Sequence, residues 1–455
     1  MAGGATQSMA LQALRWGVAL LLALSSLALA WRPIPLLLSV PACVLLAGVF
    51  LFLRGRVPAA ARKRRRIGAS EIALVAASVL VTLALVEVAA RLLYDFRPYA
   101  DTPYVRHPKF FFVPRPHGSG TFDVNLGSGR FLQVPFTFSS QGLRDREYAR
   151  KAPGEFRILL LGDSFAMGWG LPPGQTIAAQ LEQILRSRDG NGRITVINGG
   201  VSGYGPFQEE GFLEDRGLPL EPDLVLLQLF PANDIENSLA QVGKRMRAYD
   251  FGWQRHLLEF ANQNRWPVQV ERWLYNHSRA INAWLGATRR HGAISTFLDH
   301  LRFLPSAGLV VPGPSEPRPW WIEVTLRDWY PELQEGFDLM QRDVLAIRRL
   351  CEERRIGFFA FTLVGGQDVI DEYWADALRQ GPPGTLYERG KETRIMREFY
   401  DASGIRAIDV MEALRRDPRP EELYYRYDGH LQPHGAEVVA RAIAEYLDAN
   451  GLRGR

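Results

Sequence analysis

The sequence predicts an α/β protein, a three-layer parallel sheet with helices on both faces, preceded by three transmembrane helices. Three observations lead there. After about residue 150, apolar runs of strand length alternate with stretches of helix length. Those runs end repeatedly in Gly, Asp, Asn or Ser, and apolar strands separated by helices make a buried parallel sheet whose sites lie beyond the carboxyl ends of the strands. Before residue 94 there are three apolar segments, each near the ~20 residues a helix needs to cross ~30 Å of hydrocarbon.

Those segments are 16–31, 34–53 and 72–93. The first also resembles a secretory signal, since Ala28-Leu29-Ala30 has the form of a cleavage site, but Trp31-Arg32-Pro33 leads at once into a second apolar run, which favours a hairpin of spans. Residues 54–66 carry seven Lys or Arg and no acid, which places that loop in the cytoplasm by the positive-inside rule. The third helix then runs outward, and everything after it lies outside the cytoplasm. Glu87 and Arg91 stand at i, i+4 near its outer end, the spacing of a local ion pair.

The net charge of +5 belongs to this N-terminus: residues 1–66 hold nine Lys or Arg and no acid, leaving 45 basic against 49 acidic residues beyond. A nucleic-acid partner would need basic residues over a folded face, so that class is excluded. Two cysteines, Cys43 and Cys351, make no disulfide framework.

The chain thus reads as a membrane region (1–94), a Pro-, Gly- and aromatic-rich stalk or wrap (95–150) and a domain over 151–455. Strands are predicted at Phe156–Leu161, Ile194–Asn198, Asp223–Phe230, Ile356–Leu363 and Ile405–Val410, with helices from about Gln175 to Arg188 and from Pro433 to Ala449. Phe131–Phe138 is a further β-like run.

Chemistry is expected where the strands end. Ser164 follows Gly162-Asp163 at a strand-to-helix turn, where the backbone N–H groups of a helix start favour an oxyanion. A serine nucleophile needs a base, and His430 has a carboxylate, Asp428, two residues earlier to orient it. Gly203 offers close backbone approach and Asn233 a side-chain donor. Each feature alone is more often a turn or a structural polar residue.

Taken in order, Gly162-Asp163-Ser164, Asn198-Gly199-Gly200-Val201-Ser202-Gly203, Ala232-Asn233-Asp234 and Asp428-Gly429-His430 resemble the four blocks of the SGNH, or GDSL-like, hydrolase family. The resemblance covers about 156–240 and 340–450. It implies the SGNH, flavodoxin-like fold, Ser164 as nucleophile, His430 as base, Asp428 as its orienter, and an oxyanion hole of Ser164 N–H, Gly203 N–H and the Asn233 amide. Asp163 is expected to shape the turn. Three departures stand out: Pro231 replaces the leading Gly of the third block, one residue rather than two separates Asp428 from His430, and His434 follows at a spacing that imitates a metal site. The short spacing is similar to that of SGNH-like polysaccharide O-acetyltransferases. Neither a metal nor a cofactor is expected.

The insertion at about 241–335 holds seven of the eleven tryptophans. A helical cap packing its own core would use them, as would an acyl or sugar pocket, or contact with a membrane interface. The expected function is a membrane-anchored serine esterase acting outside the cytoplasm, at the cytoplasmic membrane, on an acyl ester of a glycan or lipid. An O-acyltransferase modifying a cell-envelope or secreted polysaccharide shares every residue named, and a catalytically idle SGNH-fold binding module is the alternative of another class.

Overall fold

The computed structural model describes residues 80, 83–93, 103–107, 109–189, 193–242, 270, 273–274, 277–281, 320–381 and 384–451. The chain divides into two compact units, Met1–Asp101 with Asn262–Leu309, and Thr102–Ala261 with Val310–Arg455. The apolar segments 16–31 and 34–53 lie outside the described residues, as do the basic loop 54–66 and residues 72–79 and 81–82 of the third segment. Among the described residues no helix is long and apolar enough to cross a membrane.

The larger unit is built on a sheet of five parallel strands: β5 (Phe156–Leu161), β6 (Ile194–Asn198), β7 (Leu224–Leu229), β8 (Gly357–Thr362) and β9 (Ala407–Ile408). Their order is β6-β5-β7-β8-β9. β6 and β7 are buried at every position, and β5 and β8 at all but their first. Burial on both faces is why these strands read as unbroken apolar runs. One face is covered by α2 (Ile177–Asp189), α8 (Val410–Arg416) and α9 (Pro433–Ala449), the other by α3 (Pro206–Phe212), α4 (Pro231–Gln241) and α5 (Pro331–Glu353). The remaining helices are α1 (Ser164–Met167), α6 (Asp371–Gln380) and α7 (Lys391–Ser403).

The strand expected over Ile405–Val410 is only two residues long. Asp409 ends it by accepting a hydrogen bond from Glu412 N (3.1 Å), capping α8 one residue later. In this order the chain leaves β5 toward β6 on one side and reaches β7 on the other, so the crevice at the carboxyl ends of β5 and β7 is the switch point where ligands bind in doubly wound sheets. Both the Gly162-Asp163-Ser164 turn and the start of α4 open there.

Two antiparallel hairpins precede the sheet, β1 (Tyr104–His107) with β2 (Phe111–Pro114) and β3 (Ser119–Asn125) with β4 (Phe131–Thr137). They wrap the domain. Phe112 packs on Tyr204, whose hydroxyl donates to Phe112 O (2.8 Å). Phe122, Val124, Val134, Phe136 and Phe138 close a small core of their own on Met167 of α1. Alternate burial along β3 and β4 shows one face turned to the domain and one to solvent.

Candidate active site

The turn from β5 into α1 is tightly constrained. Gly162 has φ +151°, and a Cβ there would lie 2.4 Å from Gln228 Oε1, so only glycine fits. Asp163 caps α1 by accepting from Phe165 N (2.9 Å). Gln228, a buried polar residue inside β7, accepts from Asp163 N and Ala166 N, both at 3.2 Å. These bonds satisfy first-turn N–H groups that a helix leaves open, and they fix Ser164 at the mouth of the crevice.

His430 Nε2 lies 2.8 Å from Ser164 Oγ, and His430 Nδ1 lies 2.6 Å from Asp428 Oδ1. The structure therefore brings the three sequence-predicted residues into one hydrogen-bonded line across 266 residues of chain. The one-residue spacing is accommodated by a tight loop, in which Tyr425 N donates to His430 O (2.8 Å), Gly429 N to Tyr425 O (2.7 Å), and Gly429 has φ +89°. Burial pushes the Asp428 carboxyl up, but its hydrogen bond to His430, the charge of that ring and the N–H groups of Asn125 and His430 outweigh it and hold it below the usual carboxylate range. The imidazole packs against Phe165 (5.0 Å) and Trp169 (5.4 Å).

The second and third blocks reach the same place. Asn198, ending β6, accepts from Gly200 N (3.0 Å) and donates to Met167 O (3.3 Å), tying its loop to α1. A Cβ at Gly200 would lie 2.2 Å from Met167 N, so that loop sits directly on α1. Gly203 has φ +77° and its carbonyl accepts from Asn237 Nδ2 (3.1 Å). Pro231 is the first residue of α4, where a missing N–H removes no helical hydrogen bond, so its place in the third block costs the loop nothing. The Asn233 amide nitrogen lies 3.2 Å from Asp163 Oδ2 and 3.3 Å from Tyr204 O. Asp163 therefore does more than shape the turn: it links the nucleophile turn to the asparagine expected in the anion hole.

Behind that link sits a group of buried carboxyls. Asp234 accepts from Phe230 N (2.7 Å) through one oxygen while the other has no partner, and both oxygens of buried Glu209 have none among the described residues. Burial, reinforced by the neighbouring Asp234 and Asp163 charges, pushes Glu209 well above the usual range. Burial and Asp163 do the same to Asp234. Burial raises Asp163 to about 6. Uncompensated carboxylates in such a site are costly, so Glu209 is held protonated.

Several site residues gave no sequence signal. Asn125, at the end of β3, donates its backbone N–H to Asp428 Oδ2 (3.3 Å). Arg144, buried, donates to Met167 O (2.7 Å), Gly168 O (2.8 Å) and Leu171 O, holding the loop that carries Trp169. A backbone donor and a lone arginine in an aperiodic segment show nothing in sequence. His434 is turned away: its ring meets Asp417 Oδ1 (2.9 Å) and Arg419 (3.0 Å), not an ion shared with Asp428 and His430.

The family model of the SGNH hydrolase-like domain of acetyltransferase AlgX matches residues 381–454, the stretch that contributes Asp428 and His430. Over that stretch the chain is similar to an SGNH hydrolase-like domain. No curated protein sequence matches it. Solved structures that align with it include a lipase/acylhydrolase from Enterococcus faecalis, at 12% identity and TM-score 0.33 over 65% of this chain and 97% of that one. An acetylxylan esterase from Geobacillus stearothermophilus aligns at 12% identity and TM-score 0.33 over 64% and 93%. The acetyl xylan esterase AlAXEase aligns at 14% identity and TM-score 0.34 over 64% and 100%.

Two outcomes follow from this geometry. Leu126 N bonds to Arg130 O, so the alternation of an antiparallel ladder turns the Asn125 N–H outward to Asp428, free of β4. Asn125→Pro should therefore remove the donor without breaking a ladder bond, lowering kcat about tenfold with KM unchanged, as expected for loss of roughly one net hydrogen bond. Asn125→Ala, which keeps the N–H, should stay near the parent; equal rates in the two variants would exclude the contact.

The second concerns pH. Glu209, Asp234 and Asp163 have folded-state values above their unfolded ones, so their contribution to stability is complete below about pH 4 and is lost as pH rises through the folded values, near 6 for Asp163. Glu209→Gln should flatten that loss and raise Tm at pH 9 by about 3 °C or more relative to the parent, with little change at pH 5. Parallel Tm profiles for the two proteins would rule out a protonated Glu209.

Proposed function

We propose that the SGNH domain is a serine acyl-transfer enzyme acting on an ester through an acyl-enzyme, held at the outer face of the cytoplasmic membrane by residues 1–94. The observation that carries the chemistry is the unbroken line Asp428–His430–Ser164, with contacts of 2.6 and 2.8 Å. His430 Nε2 takes the Ser164 proton as Oγ attacks the ester carbonyl, and Asp428 stabilises the imidazolium that forms. The new oxyanion is received by the Ser164 and Gly203 N–H groups and by the Asn233 amide, which gives up Tyr204 O as partner to do so. Collapse breaks the ester C–O bond, His430 returns the proton to the departing alcohol, and a second hydroxyl resolves the acyl-enzyme in the same way.

Water as that hydroxyl makes an esterase. A sugar hydroxyl makes an O-acyltransferase, and the match to the acetyltransferase model over the segment bearing Asp428-Gly429-His430 favours this second reading, with an acetylated polysaccharide as product. The extracytoplasmic placement is supported by the seven positive charges at 54–66 beside the apolar segments.

Ser164→Ala and His430→Ala should each lower cleavage of a short acyl ester by a factor on the order of 10³ or more, and Ser164→Ala should abolish labelling by a fluorophosphonate. Labelling of the Ser164→Ala protein equal to the parent would end the nucleophile assignment. Incubation with an acetyl donor and a panel of glycans, read by mass spectrometry, separates the two acceptors: acylated sugar supports the transferase, and brisk acetate release with none removes it. A periplasm-specific reporter fused after Arg455 should be active and the same reporter at Ala60 silent; the reverse pattern would end the proposed topology.

A further inference from the structure

In the smaller unit, residues 83–93 are helical and present Leu83, Leu85, Val88, Leu92 and Leu93 as exposed side chains. Glu87 and Arg91 form the ion pair their spacing predicts, Arg91 Nε to Glu87 Oε1 at 2.8 Å. Both also bind a second segment, 191 residues on. Ser278 N donates to Leu274 O (2.9 Å) at the end of one helical stretch, and Ser278 Oγ accepts from Ile281 N (3.2 Å) at the start of the next. The remaining first-turn N–H groups of that second stretch go to Glu87: Arg279 N to Oε1 (3.0 Å) and Ala280 N to Oε2 (3.1 Å), with Ser278 Oγ donating to Oε2 (2.7 Å). Arg91 donates to His277 O (3.3 Å), a carbonyl at the end of the first stretch.

A carboxylate at a helix start and a guanidinium at a helix end are each the sign that the helix dipole favours. Two charged residues of the anchor helix thus cap both sides of one helix junction in the Trp-rich insertion. That pattern is a docking site for the insertion, not a chance surface contact.

The depth of the junction follows from helix geometry. Glu87 lies six residues before Leu93, about 9 Å along a helix, and 72–93, read as one helical span of 22 residues, would measure about 33 Å. A carboxylate at that level is tolerated because Arg91 and three donors satisfy it. The segment it holds therefore lies beside the outer end of the span. There Val270 and Trp273 are exposed, Trp273 stacked on His277 at 4.6 Å. An indole beside the end of a span is placed where the bilayer interface favours it.

We propose that the insertion around Val270–Ile281 is an interfacial collar, bound to the anchor through Glu87 and Arg91, that seats Trp273 and Val270 in the outer headgroup layer of a phospholipid bilayer. The proposal rests on reading 72–93 as a membrane span. The full chain in phosphatidylcholine–phosphatidylglycerol nanodiscs tests it, with Cys43→Ala as background and Cys351 left in place because it is buried. An environment-sensitive fluorophore is attached through Trp273→Cys or Leu85→Cys, and quenching is compared for lipids with a nitroxide on the headgroup or deep in the acyl chain.

The label at 85 should be quenched by the deep nitroxide, and the label at 273 at least about twofold more by the headgroup nitroxide than by the deep one. Quenching at 85 with none at 273 from either lipid would overturn the collar and leave the anchor standing. No quenching at 85 would overturn the span, and the collar with it. Glu87→Ala should cut the headgroup quenching at 273 by about twofold or more while leaving 85 unchanged, because the cap on Arg279 and Ala280 is lost. Unchanged quenching at 273 in that variant would exclude attachment through Glu87.

Discussion

The candidate site depends on how the chain satisfies the start of a helix only four residues long. α1 has almost no internal hydrogen bonding to stabilise it, so Ser164 is held by side chains from elsewhere: the Asp163 cap, Gln228 reaching out of β7, and Arg144 on the carbonyls at the far end. Cooperative helix formation cannot hold so short a piece. Every other feature of the site connects to this turn. Asp163 joins it to Asn233, Asn198 joins it to the second block, and His430 approaches it against Phe165 and Trp169. The polarity of the Gly-Asp-Ser turn is thus a packing requirement, since each buried N–H there needs an acceptor.

The sheet was legible because its strands are buried on both faces. Phe156–Leu161 and Ile194–Asn198 appear at the residues their apolar runs mark, and α9 begins at Pro433 as expected. Ile405–Val410 failed as a full strand because apolarity cannot distinguish two residues of edge strand from the start of a capped helix. The line Asp428–His430–Ser164 was legible because its members sit in blocks of fixed order. What supports the triad was not. Asn125 acts through its backbone, which no side chain advertises, and Arg144 and Glu209 lie in segments whose periodicity says nothing of their partners.

Two of the three departures from the family pattern have different physical weight. Pro231 is absorbed without strain because it falls at the first position of α4, the one helical site where proline removes nothing. The short Asp428–His430 spacing is a real rearrangement. It requires the tight Tyr425–His430 loop with a left-handed Gly429, and it turns the second oxygen of Asp428 toward Asn125 of the β3–β4 hairpin. A carboxylate oriented by a single ring could swing. Here the hairpin supplies a second donor, so the wrap that precedes the sheet helps to fix the Asp428 carboxylate.

The tryptophans of the insertion show why composition alone left their role open. Trp329 is half-buried against the core: its Nε1 donates to Val324 O (2.9 Å), and its ring meets Phe337 at 5.3 Å and carries the Lys391 ammonium at 4.5 Å. Trp273 is exposed and stacks on His277, four residues along the chain. An indole suits both settings, because one edge is a hydrogen-bond donor and the rest is apolar surface. The count of seven therefore measured a need for amphipathic rings without saying which solvent they meet. The division of the chain supplies what the count lacked, since Trp329 belongs to the unit with the sheet and Trp273 to the unit with the apolar N-terminus. Residues close in sequence, drawn from one aromatic-rich insertion, are thereby committed to separate physical tasks.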